Sequence, residues 1–124
     1  MPYSIHWEPR GVYKKYTGLV TGEEFLHAVR QVNAHPDFGA FHYVINDFLA
    51  CTAFPVSKSE YDDILAAAIG ANVSNPKFVA AFVAADAALA ASLESMVENA
   101  RSCMRVRIFG DLAAARGWVE APGD

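Results

Sequence analysis

Residues 78–85, FVAAFVAA, contain no polar side chain. A strand with one face in water alternates apolar and polar residues, so an uninterrupted apolar run of strand length is typical of a central strand covered on both faces. Asn75-Pro76 precedes the run and Asp86 follows it, which places turn or capping residues at both ends. Strands of this kind belong to parallel sheets, whose strands are joined by crossover helices. The stretch therefore predicts an α/β domain with a largely parallel sheet flanked by helices.

The start of the chain predicts a hairpin and then a helix. Residues 3–9, YSIHWEP, alternate apolar and polar side chains, and β-type residues resume at 12–20, VYKKYTGLV, after a turn. Together these runs predict an antiparallel hairpin. Residues 21–24, TGEE, form a capping box, in which the threonine hydroxyl and the second glutamate satisfy free amides of a helix start. We expect that helix to end at about His35.

The middle of the chain predicts a third strand and a second helix. Residues 41–47, FHYVIND, form a strand that we expect to end at Asp47, followed by an irregular connection. Two overlapping capping pairs, Ser57 with Glu60 and Ser59 with Asp62, mark the next helix start. That helix should end near Asn75-Pro76, and its predicted inward residues are Tyr61, Ile64, Leu65, Ala68 and Ile69.

The last third of the chain completes the order ββαβαβαβα. Asp86 should cap a third helix, residues 104–109 alternate as an edge strand would, and Gly110-Asp111 should begin a fourth helix. The sequence thus predicts a mixed, mostly parallel five-stranded sheet with an N-terminal β-hairpin and four helices, in a single domain covering residues 1–124. We expect only residues 122–124 to fray.

Composition restricts the classes of partner. Hydrophobic residues make up 53% of the chain and charged residues 19%, which suits a packed core rather than disorder. The formal net charge of −4 argues against nucleic-acid binding, which needs concentrated Lys and Arg. No apolar run approaches the ~20 residues of a membrane span, and MPYSIHWEPRG lacks the order of a signal peptide. We therefore expect a cytoplasmic location.

Three stretches resemble a known fold. They are GLVT at residues 18–21, the strand ending at Asp47, and VRIFGD at residues 106–111 followed by Ala115 and Trp118-Val119. With them, nearly the whole chain resembles the STAS-like fold of anti-sigma-factor antagonists and, more closely, small bacterial proteins of STAS-like and CRAL-TRIO-like type. These stretches are packing features, which specify a fold more than an activity.

The resemblance implies two kinds of function. Anti-sigma-factor antagonists bind a partner kinase and are switched by phosphorylation of a serine at the start of the helix after the third strand. CRAL-TRIO domains hold a lipid or another apolar molecule against the sheet. The first hypothesis is therefore a non-enzymatic regulatory or protein-interaction module, with a protein partner or a homodimer. The alternative hypothesis is binding or sensing of a small apolar ligand or lipid in a cleft.

The connection after the third strand supplies the candidate ligand or partner loop. Its apolar aromatic residues, together with Phe38 and Phe41, cover one end of the core, form the lid or wall of an apolar cleft, or make a patch that meets a second subunit. Asp47 is either a functional carboxylate at the carboxyl end of a strand or a structural acceptor for loop amides. The same two interpretations apply to Asn46. The alanines of residues 64–71 and 87–91 would leave room for a ligand or allow close packing. The candidate loop residues are Asp47, Phe48, Cys51, Thr52 and Phe54.

Ser57 and Ser59 are the candidate phosphoacceptors. A phosphate at this helix start would meet free amides and the positive end of the helix dipole, with Lys58 nearby. The antagonists carry an Asp-Ser-Ser/Thr-Gly type motif here, whereas residues 54–57 are FPVS, with proline in the place of the aspartate. The capping interpretation of both serines needs no further assumption.

Catalytic and metal signatures are weak. Histidines 6, 27, 35 and 42 show no metal-binding spacing, and the two cysteines lack the spacing of a metal pair. Cys51 has no neighbouring base in the sequence and is expected to be a small buried apolar residue. An enzyme using Asp47, Cys51 or His42 is therefore the least favoured hypothesis, and we expect no catalytic residues, no metal and no cofactor.

Overall fold

The computed structural model describes residues 2–121 and contains a five-stranded sheet. The strands, in their spatial order, are β1 (Tyr3–Trp7), β2 (Gly11–Leu19), β3 (Tyr43–Ala53), β4 (Val79–Val83) and β5 (Arg105–Phe109). β1 pairs with β2 in antiparallel orientation and all the other pairs are parallel. The predicted α/β class, the hairpin and the element order are confirmed. The predicted fraying of residues 122–124 lies outside the described residues.

The sheet is accompanied by α1 (Gly22–Asn33), α2 (Lys58–Ser74), α3 (Ala87–Glu98) and α4 (Leu112–Glu120), with short 3-10 helices at Phe38–Ala40 and Asn99–Ser102. Each α-helix begins after a side-chain cap, because residues at this position satisfy amides that have no partner inside the helix. The caps are Thr21, Ser57, Asp86 and Asp111.

The three crossovers place their helices on one side of the sheet. The connections β2-α1-β3, β3-α2-β4 and β4-α3-β5 all step in the same direction along the sheet. Since crossovers between parallel strands are right-handed, helices of such a series lie on the same face. We call it the three-helix face, and its core contains Val12, Val44 and Val106 from the strands. The opposite α4 face carries a smaller core, which includes Ile45 and Ala115.

The alternation of strand side chains decides which residues reach each face. In β2, Val12, Lys14 and Tyr16 alternate onto the three-helix face, whereas Tyr13 packs on the α4 face. In the parallel pairing of β2 with β3, Lys14 lies directly opposite Asn46. Residues directly opposite each other point to the same side, so both polar side chains enter the apolar layer under the three helices.

Two predictions about the middle of the chain are wrong. β3 does not end at Asp47 but continues to Ala53, because register shifts in β2, including one next to Gly18 with a φ of 67°, keep it paired with the end of β3. Ile69 of α2 does not face inward and is 47% exposed. Ile64 and Ala71 face the sheet instead, so Ile69 lies on the side of α2 that points away from the sheet.

An ion pair ties the hairpin turn to the last helix on the α4 face. Arg116 donates through two nitrogens to the two carboxylate oxygens of Glu8, at 2.7 Å each. Tyr43 donates to Glu8 at 2.5 Å, and the Arg116 guanidinium lies 5.4 Å from the centre of the Tyr13 ring. The hydrogen bonds from Arg116 hold the pKa of Glu8 below its usual value.

We predict that Glu8→Gln lowers the free energy of unfolding at pH 7 by about 1–2 kcal/mol, because it removes a half-buried bidentate pair. The pKa of Glu8 is lowered in the folded state, so its stabilising effect is complete above the unfolded pKa of about 4.3 and disappears as the pH falls through the folded value. Urea denaturation from pH 3 to pH 7 should show the two proteins converging at low pH.

Glu94→Gln is the matched control. The Glu94–Arg101 pair is more exposed, with 47% and 39% of the side chains accessible, so its loss should cost less than about 0.5 kcal/mol. An equal loss of unfolding free energy in Glu8→Gln and Glu94→Gln would contradict the larger stabilising effect assigned to the Glu8–Arg116 pair.

Candidate functional site

A cavity of about 80 Å³ lies between the sheet and α1, α2 and α3. Its floor comes from β2–β5 and its walls from the three helices. The described lining is apolar except for Lys14, Asn33 and Asn46. The apolar lining residues include Phe25, Val29 and Val32 of α1, Ile64, Ala68 and Ala71 of α2, Met96 and Val97 of α3, and Val44, Ala80, Phe82 and Val106 of the strands.

The cavity exists because small side chains oppose one another. The lining includes Ala68 and Ala71 of α2 and Ala100 after α3. On the sheet side it includes Val44 and Ala80. Interiors usually close-pack, and an unfilled volume forfeits dispersion contacts along its whole lining. At the cost observed for cavities in other cores, a volume of about 80 Å³ destabilises the fold by roughly 2 kcal/mol.

Helix α2 covers the cavity and is held by hydrogen bonds near both ends and by one in its middle, where the Asn33 side chain of α1 donates to the Ala67 carbonyl at 3.3 Å. Of its 17 residues only Ala71 is fully buried. At the start of α2, the Gly22 amide donates to the Pro55 carbonyl at 3.2 Å. Beyond its end, the buried Asn75 amide donates to the carbonyls of Phe38 at 2.9 Å and Phe41 at 2.6 Å. The middle of α2 therefore spans the cavity with few large side chains beneath it.

Lys14 is the charged residue in this apolar layer. Only 2% of its surface is exposed, and within residues 2–121 it makes no hydrogen bond or ion pair. Its Nζ lies 5.1 Å from the centre of the Phe25 ring and 5.8 Å from that of Tyr16. Burial lowers the pKa of Lys14 to about 7. The two ring faces favour the protonated form and offset part of that desolvation cost.

Two more buried polar atoms on this face have no hydrogen-bond partner among the described residues. They are the Asn46 Oδ1 and the Tyr16 hydroxyl, and their residues are 2% and 0% exposed. Asn46 lines the cavity beside Lys14, whereas Tyr16 lies behind it. Buried polar atoms without partners are uncommon and costly in native proteins, so Lys14 and Asn46 together at the cavity floor mark a candidate binding site.

The structure places Asp47, the first of the predicted loop residues, on the side of the sheet opposite the cavity. Asp47 lies on the α4 face, where it accepts hydrogen bonds from the Tyr13 hydroxyl and from the Leu49 amide, the latter at 2.9 Å. Burial and Asp47 together raise the pKa of Tyr13 well above its usual value, with burial the larger cause. Asp47 thus has the structural role of satisfying its neighbours. Asn46, on the opposite side of the same strand, reaches the cavity.

The other candidate loop residues belong to β3 or pack beside it. Phe48 is 0% exposed and stacks on Tyr16 with ring centres 4.5 Å apart, and Phe54 packs against Phe48 at 5.1 Å. Cys51 is buried, its thiol donates to the Ala53 carbonyl at 3.3 Å, and burial raises its pKa. Thr52 is exposed on the strand. None of them is among the residues that line the cavity, although Phe48 is on the same face of the sheet and its ring lies 6.0 Å from those of Phe25 and Phe82, which do. A functional role for these loop residues stays a prediction.

The two candidate phosphoacceptors differ in their local roles. Ser57 is the N-cap of α2, where its hydroxyl accepts from the Glu60 amide at 3.2 Å and Glu60 accepts from the Ser57 amide at 2.9 Å. Ser59 lies within the first turn of α2 and is exposed. The capping function predicted for Ser57 is confirmed, and the alternative pair, Ser59 with Asp62, does not cap the helix. Phosphorylation of either serine stays a prediction.

The predicted acid–base residues are far apart. His42 precedes β3 and Asp47 lies five residues further along the chain, which corresponds to about 16 Å of extended strand. His6 pairs with Tyr13 rather than approaching His42. In the described part of the chain, no group of three or more His, Cys, Asp and Glu side chains is placed to hold a metal ion.

The comparisons with known proteins are consistent with this architecture. The sequence matches no protein-family model and no curated protein. Among solved structures, the chain is similar to an uncharacterised DUF3478-family protein with a SpoIIAA-like fold from Shewanella loihica PV-4. The TM-score is 0.57 at 15% identity, over 94% of this chain and 91% of the other. The protein therefore has the SpoIIAA-like, or STAS-like, fold predicted from its sequence.

Lys14 is the site residue that the sequence interpretation missed. The signal was present, because β2 alternates Val12, Lys14 and Tyr16 on one side, and this places a lysine between two residues suited to a core. The pattern alone does not choose the buried side, since Tyr13 and Lys15 form the complementary alternation.

In residues 2–121, no helix has the combined length and apolar character needed to cross a membrane.

We predict that Lys14→Met raises the free energy of unfolding at pH 7 by about 2–5 kcal/mol, because it replaces an unpaired buried amine with an apolar side chain of similar length. The folded pKa of about 7 lies below the unfolded value, so the unfolded chain binds more protons between these values. The stability of the wild type should therefore rise from pH 7 to about pH 10. Urea titrations over this range measure both effects.

Lys15→Met is the matched control, because Lys15 is the exposed neighbour on the same strand. It should leave the pH dependence unchanged. Parallel stability curves for wild type and Lys14→Met would contradict the burial of a titrating amine.

We predict that Ser57→Ala costs about 1 kcal/mol of unfolding free energy, because the capping box at α2 is lost, and that Ser59→Ala costs less than about 0.5 kcal/mol. Thermal and urea unfolding of both variants provide the measurement. A larger loss for Ser59→Ala than for Ser57→Ala would contradict the observed cap.

Proposed function

We propose that this protein is a non-enzymatic module that binds a small, mainly apolar molecule in the cavity between the sheet and α1–α3. The observation that carries this proposal is the cavity of about 80 Å³ with its apolar lining. It exceeds the ~10–15 Å³ that one water needs, and the polar side chains that would hold ordered water are confined to a few positions. A compact hydrocarbon group suits such a space better than solvent does.

Energetics support binding over simple imperfect packing. The cavity and the unpaired Lys14 both destabilise the folded state, and they occur at the same place. A larger side chain at Ala68 and an apolar residue at position 14 would remove both costs. Sequences that keep local costs of this kind commonly do so at functional sites.

Movement of α2 provides a route for a ligand into the cavity. The middle of the helix contributes the small side chains Ala68 and Ala71 to the interior, while its ends are attached to the neighbouring loops. A shift of α2 away from the sheet would enlarge the cavity at the expense of few large apolar contacts. Elements that open for ligands are generally those with few buried contacts.

Protein contact is a second candidate function and involves the same helix. Ile69 and Val73 on the outer side of α2 are 47% and 75% exposed, and Ser57 and Ser59 are accessible at its start. A partner that binds α2 would respond to any ligand that shifts the helix, which links the two candidate functions. Native mass spectrometry of the purified protein tests both, since it reports subunit number and any retained small molecule.

We predict that Ala68→Leu abolishes binding of a neutral apolar probe, 1-hexanol, because the three added carbon atoms occupy the cavity. Binding is measured from chemical-shift changes in ¹H–¹⁵N spectra of the cavity-lining residues. Filling the space should also raise the free energy of unfolding by about 1 kcal/mol.

Ala66→Leu is the control, because it makes the same change on the exposed side of α2. It should leave hexanol binding intact. Saturable hexanol binding that persists in Ala68→Leu would place the ligand elsewhere and refute the proposed site.

A further inference from the structure

We propose that the molecule bound in this cavity carries a single carboxylate, which Lys14 and Asn46 bind at the cavity floor. This inference rests on the proposed function, since it specifies the polar end of the apolar ligand. It assigns recognition to two strand residues and leaves the helices to surround the hydrocarbon part.

The positions of the two side chains support a shared binding point. Lys14 and Asn46 are direct partners in the parallel pairing of β2 with β3, and both line the cavity. Neighbouring strands lie about 4.8 Å apart, so adjacent side chains can contact two atoms of one small group. Phe82, the next residue in the same row, also lines the cavity and begins its apolar part.

The charge of the surroundings favours an anion. Lys14 is the one ionisable side chain among the described residues that line the cavity. Its neighbours there are Asn46 of β3 and the Phe25 ring of α1, and the same cavity is lined by Asn33 of α1 and Ile64 of α2; none of these side chains titrates. Tyr16, whose ring lies 5.8 Å from Nζ, is the titratable neighbour on its own strand. A bound anion would supply the missing countercharge.

A carboxylate matches the number of polar groups. Its two oxygens can accept one hydrogen bond from the Lys14 ammonium and one from the Asn46 amide, because the oxygen and nitrogen of an asparagine amide exchange places by a rotation of the side chain. A phosphate would bring a second charge and further oxygens, whereas the third polar residue of the lining, Asn33, already donates its amide to the Ala67 carbonyl at 3.3 Å. The apolar walls then take an aliphatic or aromatic remainder.

The test compares hexanoate with 1-hexanol, which differ in the acidic group, in the wild type and in Lys14→Met. At pH 8 we expect the wild type to bind hexanoate at least about tenfold more tightly than hexanol. Lys14→Met should lose that preference and bind hexanoate no more tightly than hexanol. Isothermal titration calorimetry and the NMR titration of the cavity residues give the affinities.

Proton uptake gives a separate readout. The pKa of Lys14 is lowered to about 7, so at pH 8 most of the free protein holds a neutral amine. Pairing with a carboxylate should restore the ammonium, and hexanoate binding should take up about one proton per molecule. Calorimetry in two buffers of different ionisation enthalpy measures the uptake, which should vanish in Lys14→Met and persist in Lys15→Met.

The outcomes separate the two proposals. Equal affinity for hexanol and hexanoate, or an equal loss of both in Lys14→Met, would overturn carboxylate recognition and leave the apolar site standing. Binding of neither probe to the wild type would overturn the proposed function, and the inference with it. Lys14→Met is expected to fold well, because it replaces the unpaired amine, so a loss of hexanoate binding alone reports on recognition.

Discussion

The right-handed crossover is the constraint on which the rest of this structure depends. Three successive crossovers step in the same direction across the sheet, so α1, α2 and α3 are confined to one face and α4 alone covers the other. The crowded face must accommodate three helices, and the sequence supplies α2 with small inward residues. The result is a layer under the helices that is not filled. The sparsely covered face instead relies on the Glu8–Arg116 pair to hold α4 against the hairpin.

The two faces of the sheet therefore differ in whether their buried polar groups have hydrogen-bond partners. On the α4 face, the acidic side chains of Glu8 and Asp47 each have tyrosine or arginine donors. On the three-helix face, Lys14 and the Asn46 oxygen lack partners among the described residues. A stable core gains nothing from that arrangement, because an unpaired buried amine costs free energy whichever protonation state it takes. The contrast within one small domain is the reason for assigning a ligand to the face with the unpaired groups.

The sequence was a reliable guide where one residue or one short pattern carries the physical signal. The capping boxes at Thr21 and Ser57 and the caps at Asp86 and Asp111 form as predicted, because each depends on bonds within a few residues. The end of β3 was mispredicted, because its last residues are held by a β2 segment distorted near Gly18. The role of the candidate loop residues stays a prediction, whereas the cavity was not predicted, for the same kind of reason. Phe48 and Phe54 pack into the aromatic core beside Phe82, and the cavity lies next to them under α2.

The sequence by itself determined the α/β class and the element order, since periodicity, caps and apolar runs are local properties that set secondary structure and the faces to be buried. The STAS-like fold followed from the resemblance of three short stretches to that fold. Only the tertiary structure decided that β2 turns Lys14 inward, that Asn46 lies beside it, and that the alanines of α2 leave a space above them. These facts depend on strand register and on the distance between a helix and a sheet. Both are fixed by contacts between residues distant in the chain, which no local pattern encodes.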